Sequence, residues 1–397
     1  MSADDHLDPP RHGHVLLAPG RFGGALSAPA VARHLAAGLR RARPGVPVVE
    51  LPIADGGEGT AEAAIAAGWR RVEVRVCGPT GRPVTAALAL DGDTAVVELA
   101  EASGTRRLTD GRPHPLSTTS LGTGQLLAHA VRLGVRRIVL GLGGGACADG
   151  GAGLVQGLGG RLLDAARQDL PPGAAALRAL HALDLRGLPD LSRIEVIMAG
   201  DTAAPLLGRG GAAALQAAAG PVGGQGPRRG VGREEIRVLD AGLRRWADLA
   251  ETASRRTARD RAGAGAAGGV GFAALAFLDA KPEPGLGLML DLLGFAAKAR
   301  GAHLVVTGEG ALDVRSLRGG RAPVGVSRAA ARAGVPVVAV AGRRGLTGEQ
   351  LRRARIQAVY ALTDIEPDIE RCMRQAGPLL EQLTVAIADE WLPPARR

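Results

Sequence analysis

Acidic residues stand among glycines in four segments of this 397-residue sequence. The acidic residues are Asp55 with Glu58, Asp149, Asp201, and Glu309 with Asp313. Carboxylates at the ends of sheet strands are the groups that a phosphotransferase needs, because they hold Mg²⁺ and accept the proton of the attacking hydroxyl group. An aspartate can also cap the helix that follows it, so one such turn is ambiguous. Four such turns together favour a site.

The segment 143–151, GGGACADGG, directly follows the apolar run 137–142. Glycine allows consecutive backbone N–H groups to converge on an anion, and a following helix N-terminus adds partial positive charge. The segment therefore predicts a phosphate-binding turn, although glycines also serve tight packing. Its candidate binding residues are Gly143, Gly144, Asp149 and Gly150.

Several common catalytic motifs are absent. The sequence contains no GxxxxGK[ST] motif, no HRD or DFG element and no GxSxG motif, and no GxGxxG opens a first βαβ unit. A P-loop enzyme, a protein kinase, a nicotinamide dehydrogenase and a serine hydrolase of the triad type are therefore poorly supported.

The composition indicates an α/β protein with two domains. Hydrophobic residues make up 46% of the chain and aromatic residues only 2%, so the core consists mainly of Ala, Val, Leu and Ile. No apolar run is long enough to span a membrane, and the three cysteines are scattered without disulfide or zinc-site spacing. These features favour a reducing, cytoplasmic location.

The formal net charge of +10 raises the possibility of nucleic-acid binding. The basic residue pairs are spread along the whole chain, and no aromatic residues alternate with them. We therefore interpret them as solvated surface and expect no nucleic-acid partner.

Apolar runs separated by helical patterns predict a parallel sheet. We expect strands at 14–18, 46–51, 302–307, 335–341 and 356–362, with the first two joining the last three. Short alternating strands at 71–77, 84–90 and 95–99 mark a change of domain. This pattern predicts a disordered N-terminal arm (1–13), a discontinuous α/β domain (14–70 plus 285–397) and an inserted mixed α/β domain (71–284) in which 212–232 form a loop or lid.

The motifs at these loops resemble those of the bacterial glycerate kinase family, of the type that includes the glycerate 2-kinases. They occur in order over nearly the whole chain: LLAPGRFGGALSA (16–28), LPIADGGEGT (51–60), VVELAEASG (96–104), STTSLGTGQLL (117–127), VLGLGGGACADGGAG (139–153), AGDTAAPLLGRGGAA (199–213), PGLGLMLDLLGF (284–295) and TGEGALD (307–313).

This resemblance implies a two-domain enzyme that transfers the γ-phosphoryl group of ATP to D-glycerate with Mg²⁺. One domain would be a doubly wound, flavodoxin-like parallel sheet and the other a smaller mixed α/β domain, with the active site in the cleft. We expect Asp55, Asp201 and Asp313 to be catalytic, with Asp201 and Asp313 as candidate Mg²⁺ ligands. The candidates for substrate or phosphate binding outside the glycine turn are Arg21, Glu58, Glu309 and Arg321.

The sequence also departs from the family pattern. Residues 20–24 read GRFGG where the family typically has Asp-Ser-Phe-Lys-Gly, and Arg321 stands where a lysine is expected. In the glycine turn the usual Ser, Thr and Asn are replaced by Gly145, Cys147 and Ala148. Two alternatives therefore stay open, namely a kinase of another small hydroxy acid and a catalytically impaired paralogue that binds a metabolite. The sequence also leaves a homodimer open.

Overall fold

The structure is a computed structural model that describes residues 13–112, 114–218, 232–318 and 321–393. The helices of these residues are α1 (Ala28–Ala42), α2 (Thr60–Ala66), α3 (Leu99–Ser103), α4 (Leu121–Arg132), α5 (Ala152–Gly157), α6 (Ala212–Ala218), α7 (Arg233–Ser254), α8 (Ala266–Phe277), α9 (Gly285–Leu292), α10 (Phe295–Ala299), α11 (Ala322–Arg332), α12 (Gly348–Arg353), α13 (Ile369–Arg374) and α14 (Ala376–Trp391).

The strands are β1 (His14–Pro19), β2 (Val48–Glu50), β3 (Arg70–Cys77), β4 (Pro83–Asp91), β5 (Thr94–Glu98), β6 (Arg137–Gly141), β7 (Arg161–Leu163), β8 (Ala182–Asp184), β9 (Glu195–Ala199), β10 (Lys281–Glu283), β11 (Ala302–Leu312), β12 (Val337–Arg344) and β13 (Ala358–Ala361). No helix in the described part of the chain is long and apolar enough to cross a membrane.

The chain divides into two compact units. Unit 1 comprises the described residues up to Asp55 and those from Leu286 onward, and unit 2 comprises Gly56–Gly285. The first boundary thus lies before α2, whereas the sequence pattern placed it at residue 70. The inserted unit 2 is the larger of the two, in contrast to the smaller domain that the resemblance implied. Of the expected N-terminal arm, only Gly13 lies within the described residues.

Unit 1 is built on one parallel sheet with the strand order β13-β12-β11-β1-β2. Counted within the unit, this is the order 2-1-3-4-5 of flavodoxin-like sheets. Strand β1 pairs in parallel with β11 from His14↔Ala302 to Pro19↔Gly308, and with β2 on its other side. The prediction that the N-terminal strands join the late strands in a discontinuous doubly wound sheet is therefore confirmed.

Helices cover both faces of this sheet. One face packs against α1 and α14 through buried residues such as Leu17, Leu35 and Leu383. On the other face, Val324 of α11 and Ala354 after α12 pack with residues of β11 and β12. Because both faces are covered, the strands consist of nearly continuous apolar runs, which explains why the sequence pattern located them.

Two sequence-based expectations need correction. Strands β11 and β12 continue to Leu312 and Arg344, several residues beyond the predicted ends, because their parallel ladder persists through glycines and a charged pair of residues. Residues 212–218 of the predicted loop form α6, since their alanine-rich sequence favours a helix. The rest of that segment, up to residue 231, lies outside the described residues.

Unit 2 contains a six-stranded mixed sheet with the order β10-β9-β6-β5-β4-β3. Strands β5, β6, β9 and β10 are parallel, whereas β3 and β4 form an antiparallel edge. The carboxyl ends of the four parallel strands lie along one edge of the sheet, so the loops after β5, β6 and β9 are neighbours. A separate small hairpin is formed by β7 and β8.

Helices α1 and α14 pack closely at Gly38. A Cβ atom added to Gly38 would lie 2.6 Å from the carbonyl oxygen of Glu381 and 2.8 Å from Cβ of Thr384. We expect Gly38→Ala to lower the free energy of unfolding by about 1–3 kcal/mol through overpacking, despite the better helix propensity of alanine. Urea denaturation of the full chain measures the change.

Gly287 in α9 provides the matched control, because a Cβ atom there would meet no atom within 4 Å. Gly287→Ala should leave stability unchanged or raise it by up to about 1 kcal/mol. Equal stability of the two variants would contradict the close packing of α1 on α14.

Candidate active site

The centre of the unit 1 sheet is the place where the helices that follow adjacent strands turn to opposite faces. Helix α1 follows β1 on one face, and α11 follows β11 on the other. Ligands of open α/β sheets bind outside the carboxyl ends of strands at such a topological switch point. The backbones approach closely here, since Gly20 N donates to Gly308 O at 2.8 Å and a Cβ atom on Gly308 would lie 2.4 Å from Val340 O.

Five predicted site residues lie at this edge of unit 1, and one of them, Arg321, directly precedes α11. Phe22 is buried in the core and anchors the loop after β1, which leaves Arg21 exposed. Two backbone bonds carry the chain after β2 along β1 toward Asp55, namely Leu51 N to Leu17 O and Ile53 N to Pro19 O. The remaining two are Glu309, within β11, and Asp313, directly after it.

Glu309 carries the most unusual carboxylate of this edge. Its Oε1 atom is buried and has no hydrogen-bond partner among the described residues. Burial raises the pKa of Glu309, and the negative charges of Asp313 and Asp55 act in the same direction; a hydrogen bond from Ser316 and the charge of Arg321 lower it. A buried polar atom without a partner and a perturbed pKa are typical of functional sites.

Asp313 is held by arginines. Its carboxylate accepts from Arg315 Nε at 3.1 Å, from Arg315 Nη2 at 2.7 Å and from the backbone N–H of Arg315 at 2.9 Å. Arg343 Nη2 lies 3.8 Å from Oδ2 of the same carboxylate. The hydrogen bonds from Arg315 lower the pKa of Asp313 to about 2. This carboxylate is thus a weak proton acceptor that arginines already occupy.

The glycine turn after β6 divides into two halves. In the first half Gly144 is exposed, and Gly143 and Gly145 are partly exposed. Gly143 packs against the loop that precedes α2, because a Cβ atom on Gly143 would lie 2.3 Å from Cα of Gly57. In the same place Glu58 forms an ion pair with Arg106. The first half can therefore still face a ligand.

The second half of the turn is bonded to the protein core. Gly150 N donates to Gly268 O at 3.0 Å, and Gly150 O accepts from Trp246 Nε1 at 2.9 Å. Trp246 is fully buried and stacks on Phe277. Gly150 therefore supports the turn from within the core rather than contacting a ligand, which corrects its predicted role.

Asp149 is likewise structural. Its carboxylate is fully buried and accepts from the backbone N–H groups of Ser120, Gly151 and Gly153. The hydroxyl groups of Ser120 and Thr119 also donate to it. Burial raises the pKa of Asp149, and these hydrogen bonds lower it. The aspartate joins the beginnings of α4 and α5, so the direct ligand contact predicted for it is not supported.

Glu98 was not among the site residues predicted from the sequence. It is the last residue of β5, is 1% exposed, and accepts from Gly59 N at 2.9 Å and Ala61 N at 3.0 Å at the beginning of α2. Burial raises the pKa of Glu98 to about 7, although both hydrogen bonds lower it. The signal that could have revealed it is a glutamate that ends an otherwise apolar strand in the motif VVELAEASG.

Asp201 lies just after β9 and is exposed. The preceding residue, Gly200, donates its N–H to Glu283 O at 3.2 Å, which fixes the turn at the end of β9 and β10. Across the described ranges, no group of three or more His, Cys, Asp or Glu side chains could hold a metal ion. Mg²⁺ commonly binds through one or two carboxylates together with substrate phosphates, so a single exposed aspartate such as Asp201 suits it.

Comparison with known proteins shows one consistent relationship. A profile of the Glycerate kinase family matches residues 15–392. The chain is 36% identical to a glycerate kinase of Bacillus subtilis strain 168 over 94% of this chain and 96% of that protein. It is 38% identical to the glycerate 2-kinase of Escherichia coli K12, over 83% of this chain and 84% of the relative.

A solved structure agrees with these matches. The crystal structure of a protein assigned as glycerate kinase 2 from Salmonella typhimurium LT2 superposes with a TM-score of 0.76 at 35% identity, and covers 96% of this chain and 99% of that one.

Substitution of Asp149 distinguishes a structural carboxylate from a ligand contact. Asp149→Asn places an amide group against backbone N–H donors, and a buried donor without an acceptor costs about 1–3 kcal/mol. We expect this variant to unfold at a lower urea concentration than the wild type. Asp260→Asn, at an exposed position of the same unit, should unfold like the wild type. Equal midpoints for Asp149→Asn and the wild type would contradict the structural role.

Glu98 should make stability depend on pH. Because its pKa in the folded protein is raised to about 7 from 4.5, the folded state binds this proton more tightly than the unfolded state. The contribution to stability is fully present below pH 4.5 and is lost as the pH rises through about 7. The total change is up to about 3 kcal/mol.

We expect Glu98→Gln to flatten this change between pH 5 and pH 8 in urea denaturation. Glu234 is exposed on α7 and pairs with Arg237, so Glu234→Gln should keep the wild-type slope. A slope that Glu98→Gln leaves intact would show that Glu98 does not carry the effect.

Proposed function

This chain belongs to the glycerate kinase family, and we propose that it transfers the γ-phosphoryl group of ATP to a hydroxyl group of D-glycerate, with 2-phosphoglycerate as the favoured product. The family match and the relatives span nearly the whole chain, so both units of the fold are included.

The observation that carries the proposal is the carboxylate of Glu309 at the switch point of unit 1, whose Oε1 atom is buried without a hydrogen-bond partner among the described residues. Phosphoryl transfer to an alcohol requires a group that orients the attacking hydroxyl and accepts its proton. A carboxylate with a raised pKa is a stronger base than an ordinary one. We assign this role to Glu309, since arginines hold Asp313 and its pKa is low.

Two arginines at the same edge of unit 1 suit the carboxylate of glycerate. Arg21 and Arg321 are both exposed, and Arg321 lies close enough to Glu309 for its charge to lower the pKa of that residue. A guanidinium group binds a carboxylate through two parallel hydrogen bonds, which would fix the orientation of a short acid. Asp55, whose charge also acts on Glu309, remains our second candidate for orienting the hydroxyl group.

Of the predicted Mg²⁺ ligands, only Asp201 suits the ion. Asp201 presents a hard oxygen ligand at the carboxyl end of β9, whereas the arginine-held Asp313 does not suit a cation. When bound, Mg²⁺ neutralises negative charge on the phosphate oxygens. The exposed first half of the glycine turn, Gly143 and Gly144, is our candidate for backbone contacts to phosphate.

Substitution of Glu309 tests the proposal. Glu309→Gln keeps the size of the side chain but cannot accept the proton, so we expect kcat to fall by about 100-fold or more with little change in KM. In the wild type, kcat should decrease as the pH falls through the raised pKa of Glu309, and this limb should be absent in the variant. The measurement is a coupled assay of ADP release with Mg-ATP and D-glycerate between pH 5 and pH 9.

Glu349 provides the control because it is an exposed glutamate on α12 that pairs with Arg353. Glu349→Gln should have wild-type kcat and the wild-type pH profile. Wild-type protein that binds ATP but phosphorylates no D-glycerate would reject the proposed substrate, and a panel of short hydroxy acids would then identify another. Full activity of Glu309→Gln would reject only the role of Glu309.

A further inference from the structure

Strands β11 and β12 project beyond the carboxyl edge of the unit 1 sheet. Their parallel pairing continues to Leu312↔Arg344, whereas β1 pairs with β11 only to Pro19↔Gly308. The pairing of β12 with β13 ends at Ala341↔Ala361. At about 3.3 Å per residue, β11 extends about 13 Å past its pairing with β1, and β12 about 10 Å past its pairing with β13.

Three arginines gather at the end of this extension. Arg343 and Arg344 are the last residues of β12, and Arg315 follows β11 by three positions. Successive residues of a strand point to opposite faces of the sheet, so Arg344 does not share the face of Arg343. We call Arg315 and Arg343 the arginine tip. Their side chains are 69% (Arg315) and 55% (Arg343) exposed.

Carboxylates hold the arginine tip in place. Arg315 and Arg343 both approach Oδ2 of Asp313, at 2.7 Å and 3.8 Å, so their guanidinium groups are neighbours. Arg344 Nη2 lies 3.3 Å from Oδ1 of Asp364. The charge of Glu309 also acts on Arg315, so three carboxylates lie near the three arginines.

The pairing leaves donors available for another anion. Each guanidinium group has five N–H donors, and the carboxylates use only some of them. Exposed ion pairs contribute little to stability, so stability alone does not explain two arginines on one aspartate. Arginines fixed in this way lose less side-chain entropy when they bind a second anion.

We propose that the arginine tip binds the phosphate groups of the nucleotide, and that Asp313 is a positioning residue for Arg315 and Arg343 rather than a metal ligand. The proposal rests on the proposed function and names the nucleotide site within it. Neighbouring guanidinium groups suit a chain of phosphates, which carries several charges along its length, better than a single carboxylate group.

Binding measurements test the arginine tip without turnover. We would titrate ADP, and separately tripolyphosphate, into the full-length wild type and into Arg315→Gln and Arg343→Gln by calorimetry. Loss of one charge-assisted contact should weaken ADP binding about tenfold in each variant. Tripolyphosphate binding should weaken in parallel, because the contacts are to phosphate. Arg353→Gln, which removes an exposed arginine paired with Glu349 on α12, should bind like the wild type.

Steady-state kinetics of Asp313→Asn separates the two roles of the aspartate. A positioning role predicts a higher KM for ATP with KM for D-glycerate and the Mg²⁺ requirement unchanged. Because the charge of Asp313 raises the pKa of Glu309, kcat should change only through a shift of its pH profile to lower pH. A fall in kcat with a higher Mg²⁺ requirement would assign Asp313 to the metal and overturn the proposal.

Three further outcomes test the nucleotide-binding role of the arginine tip and the proposed function. Wild-type affinity for ADP in both arginine variants would overturn the proposal, as would a higher KM for D-glycerate alone. Wild-type protein that binds ADP without phosphorylating D-glycerate would refute the proposed function, while weakened ADP binding in the variants would still support the arginine tip.

Discussion

The free-energy cost of removing a carboxylate from water governs the loops at the carboxyl edges of both sheets. Each acidic side chain there must stay exposed to water, accept hydrogen bonds from the protein or become protonated more easily through a raised pKa. Asp149 finds donors in the backbone and hydroxyl groups of two helix beginnings, and Glu98 finds two backbone N–H groups. Burial raises the pKa of all three carboxyl groups, but of the three only Glu309 has a buried oxygen without a hydrogen-bond partner among the described residues. These different solutions separate the residues that build the loops from those that remain available for chemistry.

Backbone approach at these edges depends on the absence of side chains. Gly308 lies against β12, and Gly143 lies against the loop before α2, at distances that a Cβ atom would prevent. The buried carboxylates can organise the loops because glycines bring the chain segments this close. In unit 2 the core also holds the glycine turn, because the indole N–H of Trp246 donates to the carbonyl oxygen of Gly150.

The sequence was sufficient to predict much of the fold, because buried parallel strands consist of continuous apolar runs and the glycine–acid turns mark their ends. It predicted the discontinuous sheet of unit 1 and the edges at which acidic residues collect. It could not rank those residues, since the roles of Asp149, Glu98 and Asp313 depend on contacts with segments distant in the chain. Arg343 holds Asp313 from the neighbouring strand, and Thr119 and Ser120 donate to Asp149 from the segment before α4. No spacing rule within one motif reveals such partners.

The discontinuity of unit 1 has a consequence for synthesis on the ribosome. Strand β1 is synthesised before unit 2, but its partner β11 follows only after all of unit 2 has been made. Unit 2 is continuous and can fold while translation proceeds, whereas the edge of β1 that pairs with β11 stays unpaired. An unpaired apolar strand is a template for association with other chains. The segment that carries β1 therefore needs protection from association until β11 has been made.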